Sequence, residues 1–306
     1  MKDIISWFIK GFGIGAANVI PGVSGGTIAL ITGIFERLID ALKSFNLTSL
    51  KLLFRLKIKE FTKYTDLVFL ISVFGGAVAS IFTFARLLAY LFANYPVFVW
   101  AFFFGLIIAS VYFVGKTIEK INLPVILSFI IGTAIAVWIS VQNPAAENDA
   151  FFYLVLCGII AIISMILPGL SGSFILVLMG NYQLVMIDSV NSLDFHVILP
   201  VALGVVIGLP AFSNILSRIY KKYKNQTIAS LTGFILGSLF ILWPWKHAQY
   251  LIGNDGLKVL KANGEPVVSS YMRYLPESFN LEVTLAIAFL ILGVLSVWSV
   301  EHLAKK

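Results

Sequence analysis

The chain has 306 residues, of which 59% are hydrophobic and only 12% are charged, and its mean hydropathy is +0.95. Soluble domains are only about 45–50% apolar, so this composition excludes a soluble globular protein and predicts an all-α polytopic membrane protein. The net charge of +7 comes from basic residues that cluster beside apolar segments, which indicates orientation in a bilayer and contact with anionic lipid, not with nucleic acid.

The cysteine content and the first residues limit the chemistry further. The single cysteine, Cys157, excludes an intrachain disulfide and a cysteine-rich metal site, and it lies in an apolar segment where we expect it to serve packing. We therefore expect neither a metal nor a cofactor. Lys2 and Asp3 precede no small-residue cleavage site, so we expect the N-terminus to belong to the mature fold.

Residues 4–42 predict a helical hairpin that enters the membrane and returns. Two apolar helices, 4–17 and about 24–42, flank a break, and both are short of the roughly 20 residues that an independent span needs. Six basic residues follow between Lys43 and Lys63. This connection is therefore predicted to be cytoplasmic.

Three transmembrane helices are predicted next, at residues 67–92, 97–115 and 123–141. The connections after them alternate in charge: 93–96 has none, 116–122 has two lysines, and 142–150 has only two acidic residues. This alternation is typical of the positive-inside rule and places residue 150 outside the cell.

The second half repeats this plan from the opposite side. A hairpin is predicted at residues 151–187 and spans at 197–216, 228–245 and 283–300. Four basic residues from Arg218 to Lys224 indicate a cytoplasmic connection, and Lys305 and Lys306 place the C-terminus there too. Both termini are thus expected inside, and residues 246–281 outside.

Sequence matches between the halves predict a repeat, residues 1–150 and 151–306. Each half has one hairpin and three spans, and because three is odd the second copy must be inverted, as in many secondary transporters. The matches pair Pro21-Gly22-x-Ser24-Gly25 with Pro168-Gly169-x-Ser171-Gly172, Gly105–Ser110 with Gly233–Ser238, and Ala136-Val137-Trp138 with Ser296-Val297-Trp298.

The two Pro-Gly-x-Ser-Gly stretches are the candidate binding site. Proline removes a backbone donor and glycine permits strained dihedrals, so each stretch should break a helix and leave N–H groups unpaired. In lipid such backbone is tolerated only where protein buries it or a cavity solvates it. The alternative is a pair of surface turns, which would not need the same motif twice.

The run from Pro21 to Glu36, with its counterpart at residues 168–182, resembles the bacterial polyprenyl-phosphate transporter family over nearly the whole chain. The resemblance implies a non-enzymatic flippase of the bacterial cytoplasmic (inner) membrane. Its expected substrate is undecaprenyl phosphate, which such proteins return from the outer to the inner leaflet for recycling in peptidoglycan synthesis.

The substrate implied by this resemblance needs a polar route only for its phosphate. Unpaired N–H groups at a helix start, with the positive end of the helix dipole, bind anions. We expect the two breaks to face each other and hold one phosphate through Gly22, Ser24, Gly25, Gly26 and Thr27 of the first and Gly169, Ser171, Gly172 and Ser173 of the second.

Two charged residues are further candidates. Arg86 interrupts an apolar span, where a central charge costs about 2.5–3.5 kcal/mol, so it is a candidate phosphate counter-ion; snorkelling to the interface is the alternative. Glu36 is the candidate for proton coupling, because a buried carboxyl can titrate near neutrality. Its alternative is an interfacial ion pair with Arg37.

Two other functions stay open. A polyprenyl pyrophosphate phosphatase also uses a Pro-Gly-x-Ser loop, but here no basic residue, acid or general base lies near Ser24 to activate it. A secondary transporter of a soluble anion would need a closed aqueous path, whereas a lipid headgroup needs a lateral opening. The sequence does not separate a transporter of a soluble anion from a transporter of a lipid headgroup.

Overall fold

The computed structural model describes residues 2–19, 24–253, 256–260, 264 and 266–304. Pro21, Gly22, Lys305 and Lys306 therefore lie outside the described residues. The elements of the first half are α1 (Lys2–Val19), α2 (Gly25–Ile31), α3 (Phe35–Lys43), α4 (Leu47–Phe54), α5 (Ile58–Tyr64), α6 (Leu67–Asn94), α7 (Pro96–Gly115) and α8 (Leu123–Ser140). Those of the second half are α9 (Phe151–Ile166), α10 (Gly172–Leu178), a π-helical turn (Leu184–Asp188), α11 (Ser189–Ser192), α12 (Phe195–Lys222), α13 (Lys224–Leu242), β1 (Lys246–Tyr250), β2 (Val268–Arg273) and α14 (Leu281–Ala304).

Long apolar helices dominate the described part of the chain. Five have the length and composition to cross a bilayer: α7, α8, α12, α13 and residues 281–299 of α14. Helix α5 and the start of α6, bent by 67° at their junction, would make a sixth. This confirms the all-α polytopic class. The predicted span 228–245 ends earlier, at Leu242, because Pro244 cannot continue a helix.

The predicted single helix from 24 to 42 was wrong, because a second break divides it into α2 and α3. Gly33 lies at this break with φ +71°, and Gly180 follows α10 with φ +74°, a region that residues with a side chain rarely adopt. The Lys10 ammonium donates to the Thr32 carbonyl at 2.9 Å. It thereby satisfies one of the carbonyls that the end of α2 leaves without an intrahelical partner.

A two-stranded antiparallel sheet occupies part of the predicted outside connection, which the sequence pattern did not reveal. Strand β1 pairs with β2 so that Lys246 lies opposite Arg273. Val259 and Val267 beside the sheet pack against Val177 of α10. This hairpin, β1–β2, therefore covers the second helical hairpin, and we call this end of the bundle the sheet end.

Ion pairs tie the elements together at the other end. Lys221 of α12 bonds Asp40 of α3, which also accepts from the Ser217 hydroxyl at 2.6 Å. Lys224 of α13 pairs with Glu119 at 3.2 Å. We call this end, which also carries α4 and α5, the basic end.

Helix packing follows the same plan in both halves. Helix α1 packs along α6 as α9 packs along α12, and α7 packs along α14 as α13 packs along α8. A Cβ at Gly105 would overlap the Leu290 carbonyl, and a Cβ at the matching Gly233 would overlap the Phe129 carbonyl. These shared close approaches support the repeat. Its boundary at residue 150 and its inverted orientation stay predictions.

We predict that Gly105→Ala destabilises the bundle by about 1–3 kcal/mol, because the added methyl group must push α14 away from α7. Gly115→Ala in the same helix is the matched control, since its Cβ would lie 3.7 Å from the nearest atom. Thermal unfolding of the detergent-purified variants, followed by circular dichroism, measures both. Equal melting temperatures would contradict the close packing.

Candidate functional site

The two sequence breaks contact each other directly. The Ser24 hydroxyl donates to the carbonyl of Leu167, which caps the C-terminal end of α9, at 3.1 Å. A Cβ added to Gly26 would lie 2.8 Å from the Ile166 carbonyl oxygen, so only glycine lets the two backbones approach this closely. The breaks are therefore one structural unit.

The first break is closed and satisfied. Ser24 is the N-cap of α2 and is 2% exposed; its hydroxyl accepts from the Gly26 N–H at 3.2 Å. The Gly25 N–H donates to Asn18 Oδ1 at 2.8 Å, and the Thr27 N–H donates to the Ser24 carbonyl at 2.9 Å. The N–H groups that the sequence indicated as unpaired thus have protein partners. The Thr27 hydroxyl, by contrast, is buried and has no hydrogen-bond partner.

The second break is open to a cavity. Gly169 is buried with φ +83°, against the Phe234 carbonyl, and Gly172 is buried at the start of α10. The hydroxyls of Ser171 and Ser173 lie 2.9 Å apart and both residues line a cavity of about 140 Å³ at the sheet end. Ser171 makes no side-chain capping bond, which is the opposite of its counterpart Ser24.

A second cavity, of about 290 Å³, lies at the basic end. Its lining includes Leu30, Phe35 and Phe113, which match Val177, Tyr182 and Ile241 in the first cavity along the repeat. It stops at Leu30 and does not include Ser24. The cavity at the sheet end therefore reaches the second break, whereas side chains of α2 separate the cavity at the basic end from the first break.

Glu36 lines the cavity at the basic end together with Tyr220 and Lys224. The sequence analysis offered an ion pair with Arg37 as the alternative role of Glu36, and this alternative was wrong. The Arg37 guanidinium instead bonds both carboxylate oxygens of Asp66, at 2.6 and 3.1 Å. Glu36 is exposed, so the burial expected of its carboxyl was wrong. Among the described residues it forms no ion pair.

Arg86 lies within α6, but its side chain is outside the described part of the structure. Its role as counter-ion therefore stays a prediction. Two other cations, Lys246 and Arg273, lie at the sheet end near the first cavity, and the sequence analysis missed them. The sequence pattern that could have indicated them is the presence of basic residues among aromatic ones in a connection that was expected to be solvated.

An apolar groove of about 790 Å³ begins beside the first break. Ile28, which follows Thr27 in α2, lies in its wall. The remaining lining comes from α1, α6, α7 and α14 and includes the exposed residues Leu87, Tyr95 and Leu292. The groove therefore opens on the outer surface of the bundle, which is rich in exposed apolar side chains.

Comparisons with known proteins agree on one family. A model of the undecaprenyl phosphate translocase-like family matches residues 14–259. A polyprenyl-phosphate transporter from Vibrio cholerae serotype O1 is 37% identical over 99% of this chain and 98% of its own length. A polyprenyl-phosphate transporter from Staphylococcus aureus is 30% identical over 77% of this chain and 85% of its own length. No solved structure matches the chain.

We predict a larger loss of stability on removing the Ser24 hydroxyl than on removing that of the matching Ser171. Ser24→Ala removes an N-cap and leaves the half-buried Leu167 carbonyl with only the long bond from the Leu170 N–H at 3.5 Å, which should cost about 1–3 kcal/mol. Ser171→Ala is the matched control, because its hydroxyl bonds only Ser173 at a cavity. Thermal unfolding in detergent measures both variants. A larger loss for Ser171→Ala would contradict the asymmetry of the two breaks.

Proposed function

Since the chain belongs to the undecaprenyl phosphate translocase-like family, we propose that it returns undecaprenyl phosphate from the outer to the inner leaflet of the bacterial cytoplasmic membrane for reuse in cell-wall synthesis. The observation that carries this proposal is the pair of touching breaks between a cavity that contains serine hydroxyls and an apolar groove that opens sideways. A molecule with a phosphate at one end and a long apolar tail matches both surfaces.

The phosphate is assigned to the breaks. Ser171 and Ser173 present two hydroxyls to the cavity at the sheet end, and the buried Thr27 hydroxyl has an unmade hydrogen bond. A buried polar group without a partner costs about 1–3 kcal/mol. A headgroup would recover this cost at Thr27 once the first break opens, since Thr27 lines neither cavity in this structure. Gly26 lets the two breaks approach each other, and Gly25, Gly169 and Gly172 let the breaks pack against neighbouring helices. The proposed contact of Gly22 with the phosphate lies outside the described residues.

The tail is assigned to the groove and the surrounding lipid. The groove volume of about 790 Å³ is typical of small-molecule pockets and holds only part of a long polyprenyl chain. Lipid tails are as apolar as leucine, so moving the tail from bilayer to groove yields little free energy. Affinity must therefore come from the headgroup, and the groove contributes orientation and a lateral route.

This lateral route is why we favour a lipid substrate over a soluble anion. A soluble anion needs a path walled off from the bilayer, whereas Leu87 and Leu292 in the groove wall are exposed on the outer surface. A phosphatase is disfavoured as well, because the Ser24 hydroxyl already donates to the Leu167 carbonyl. It is thus bonded to backbone and not to a general base.

We assign the basic end to the cytoplasm and the sheet end to the outside, in line with the positive-inside rule. Inward movement of an anion then works against a potential that is negative inside, at about 2.3 kcal/mol per charge per 100 mV. Each co-transported proton offsets the work for one of the negative charges of the phosphate, which carries about 1.5–2 of them at neutral pH. Glu36, at the cavity of the basic end, is the proposed carrier.

We predict that the double variant Ser171→Ala/Ser173→Ala lowers uptake of labelled undecaprenyl phosphate into proteoliposomes at least about tenfold, because hydrogen bonds to a charged group contribute about 1.5–3 kcal/mol each. Ser128→Ala is the control, since that exposed hydroxyl bonds only the Pro124 carbonyl of its own helix. Wild-type uptake by the double variant, at equal protein incorporation, would remove the second break from the binding site.

We also predict that Glu36→Gln uncouples transport from the proton gradient. An imposed pH gradient should accelerate uptake by the wild type and leave the rate of the variant unchanged. Glu60→Gln is the control, because Glu60 pairs with Lys57 on the exposed helix α5, away from both cavities. If Glu36→Gln responds to the gradient as the wild type does, the proton is carried elsewhere.

A further inference from the structure

Two cations lie opposite each other on the two strands of the β1–β2 hairpin. Lys246 and Arg273 are direct cross-strand partners, although like charges placed opposite each other destabilise a strand pair. Neither forms an ion pair with a carboxylate among the described residues. Buried or half-buried charges are usually paired, so this arrangement calls for a negative partner.

The surroundings of Lys246 are aromatic. Its buried ammonium lies 3.3 Å from the ring centroid of Trp100 and 4.1 Å from that of Tyr271. The Arg273 guanidinium lies 3.4 Å from the ring centroid of Phe240. Burial, and after it the charge of Arg273, lowers the pKa of the Lys246 ammonium well below its ordinary value.

Both cations also contact the end of helix α13. Lys246 donates to the Ile241 carbonyl, and Arg273 Nε donates to the Phe240 carbonyl at 2.6 Å. Cations at a helix C-terminus are ordinary, but the terminus carries only about half a negative charge. One donor of each side chain is used there, out of three on lysine and five on arginine. Capping of helix α13 therefore balances only part of the positive charge of Lys246 and Arg273. Most N–H donors of the two side chains are not used by it.

The cations lie next to the cavity of the second break. Ile241 and Tyr271, both in contact with Lys246, line that cavity together with Ser171 and Ser173. The Tyr271 ring is thus shared between the ammonium and the cavity. Neither cation lines the cavity itself, so this ring must move aside for one ligand to contact both the ammonium and the two serine hydroxyls.

We propose that Lys246 and Arg273 form, with Ser171 and Ser173, a receiving site for a phosphate monoester at the sheet end. The site rests on the proposed function for its ligand, which is the headgroup of the lipid, although free inorganic phosphate has the same chemistry. Two cations and two hydroxyls match the charge and the acceptors of a phosphate.

Binding at this site takes up a proton when Lys246 is neutral beforehand. A bound phosphate raises the pKa of the ammonium, because it supplies the negative partner that burial and Arg273 oppose. The groups that face Lys246 are Arg273 and Tyr271 on β2, Trp100 on α7 and the Ile241 carbonyl of α13. Phosphate affinity should consequently fall as the pH rises through the lowered pKa of Lys246.

The test uses purified full-length protein in detergent, with Trp fluorescence as the readout. The probes are farnesyl phosphate, farnesol and inorganic phosphate. We expect farnesyl phosphate to bind and farnesol not to bind, and Lys246→Gln and Arg273→Gln each to weaken farnesyl phosphate at least about tenfold. Lys258→Gln is the matched control, because Lys258 is an exposed lysine whose ammonium lies 4.2 Å from the ring centroid of Tyr250. It should bind as the wild type does.

The outcomes separate the site from the proposed function. Wild-type affinity and wild-type pH dependence in Lys246→Gln, at an unchanged melting temperature, would overturn the site while lipid transport by the wild type still stood. Should Lys246→Gln unfold, Arg273→Gln and the pH dependence of the wild type decide in its place. Tight, Lys246-dependent binding of inorganic phosphate without uptake of undecaprenyl phosphate would support the site, identify free phosphate as its ligand and reject the proposed function.

Discussion

The contact between Ser24 and the Leu167 carbonyl holds together two backbone breaks that would each be costly in an apolar bundle. Leu167 is the C-cap of α9, and its carbonyl otherwise accepts only the long bond from the Leu170 N–H at 3.5 Å. Ser24 is the N-cap of α2, and its hydroxyl donates across to that carbonyl. Each half thereby satisfies a polar group of the other. Without this exchange the Leu167 carbonyl would keep only a long hydrogen bond inside an apolar bundle, where poorly paired backbone is costly.

The same five-residue motif has different surroundings in the two breaks. Ser24 is buried and fully engaged, whereas Ser171 faces a cavity and bonds only Ser173. The difference comes from the neighbours, because the β1–β2 hairpin and the end of α13 frame a cavity at the second break, while α1 and α9 cover the first. In the proposed transport cycle the two motifs would exchange these environments, so that the headgroup is reached from one end at a time.

The distribution of polar groups matches the energetics proposed for a lipid carrier. Free energy for selecting the substrate must come from hydroxyls and cations, because the apolar groove offers the tail an environment like that of the bilayer it leaves. The cations of the sheet end, Lys246 and Arg273, are placed where aromatic rings shield them from water. Such shielding strengthens their attraction to an anion and makes their charge costly without one.

Composition and hydropathy were enough to predict the all-α membrane class and the positions of most long helices, because long apolar helices and helix-breaking residues leave a direct mark on the sequence. The family was predicted from the resemblance of residues 21–36 to its members. The second breaks at Gly33 and Gly180 and the β1–β2 hairpin were missed, since a single glycine or a short polar strand carries little signal. The partners of Arg37, Ser24 and Lys246 could be learned only from the tertiary structure. Each of these contacts joins residues far apart in the chain, and local sequence pattern contains no information about which distant group supplies a hydrogen bond, a carboxylate or an aromatic ring.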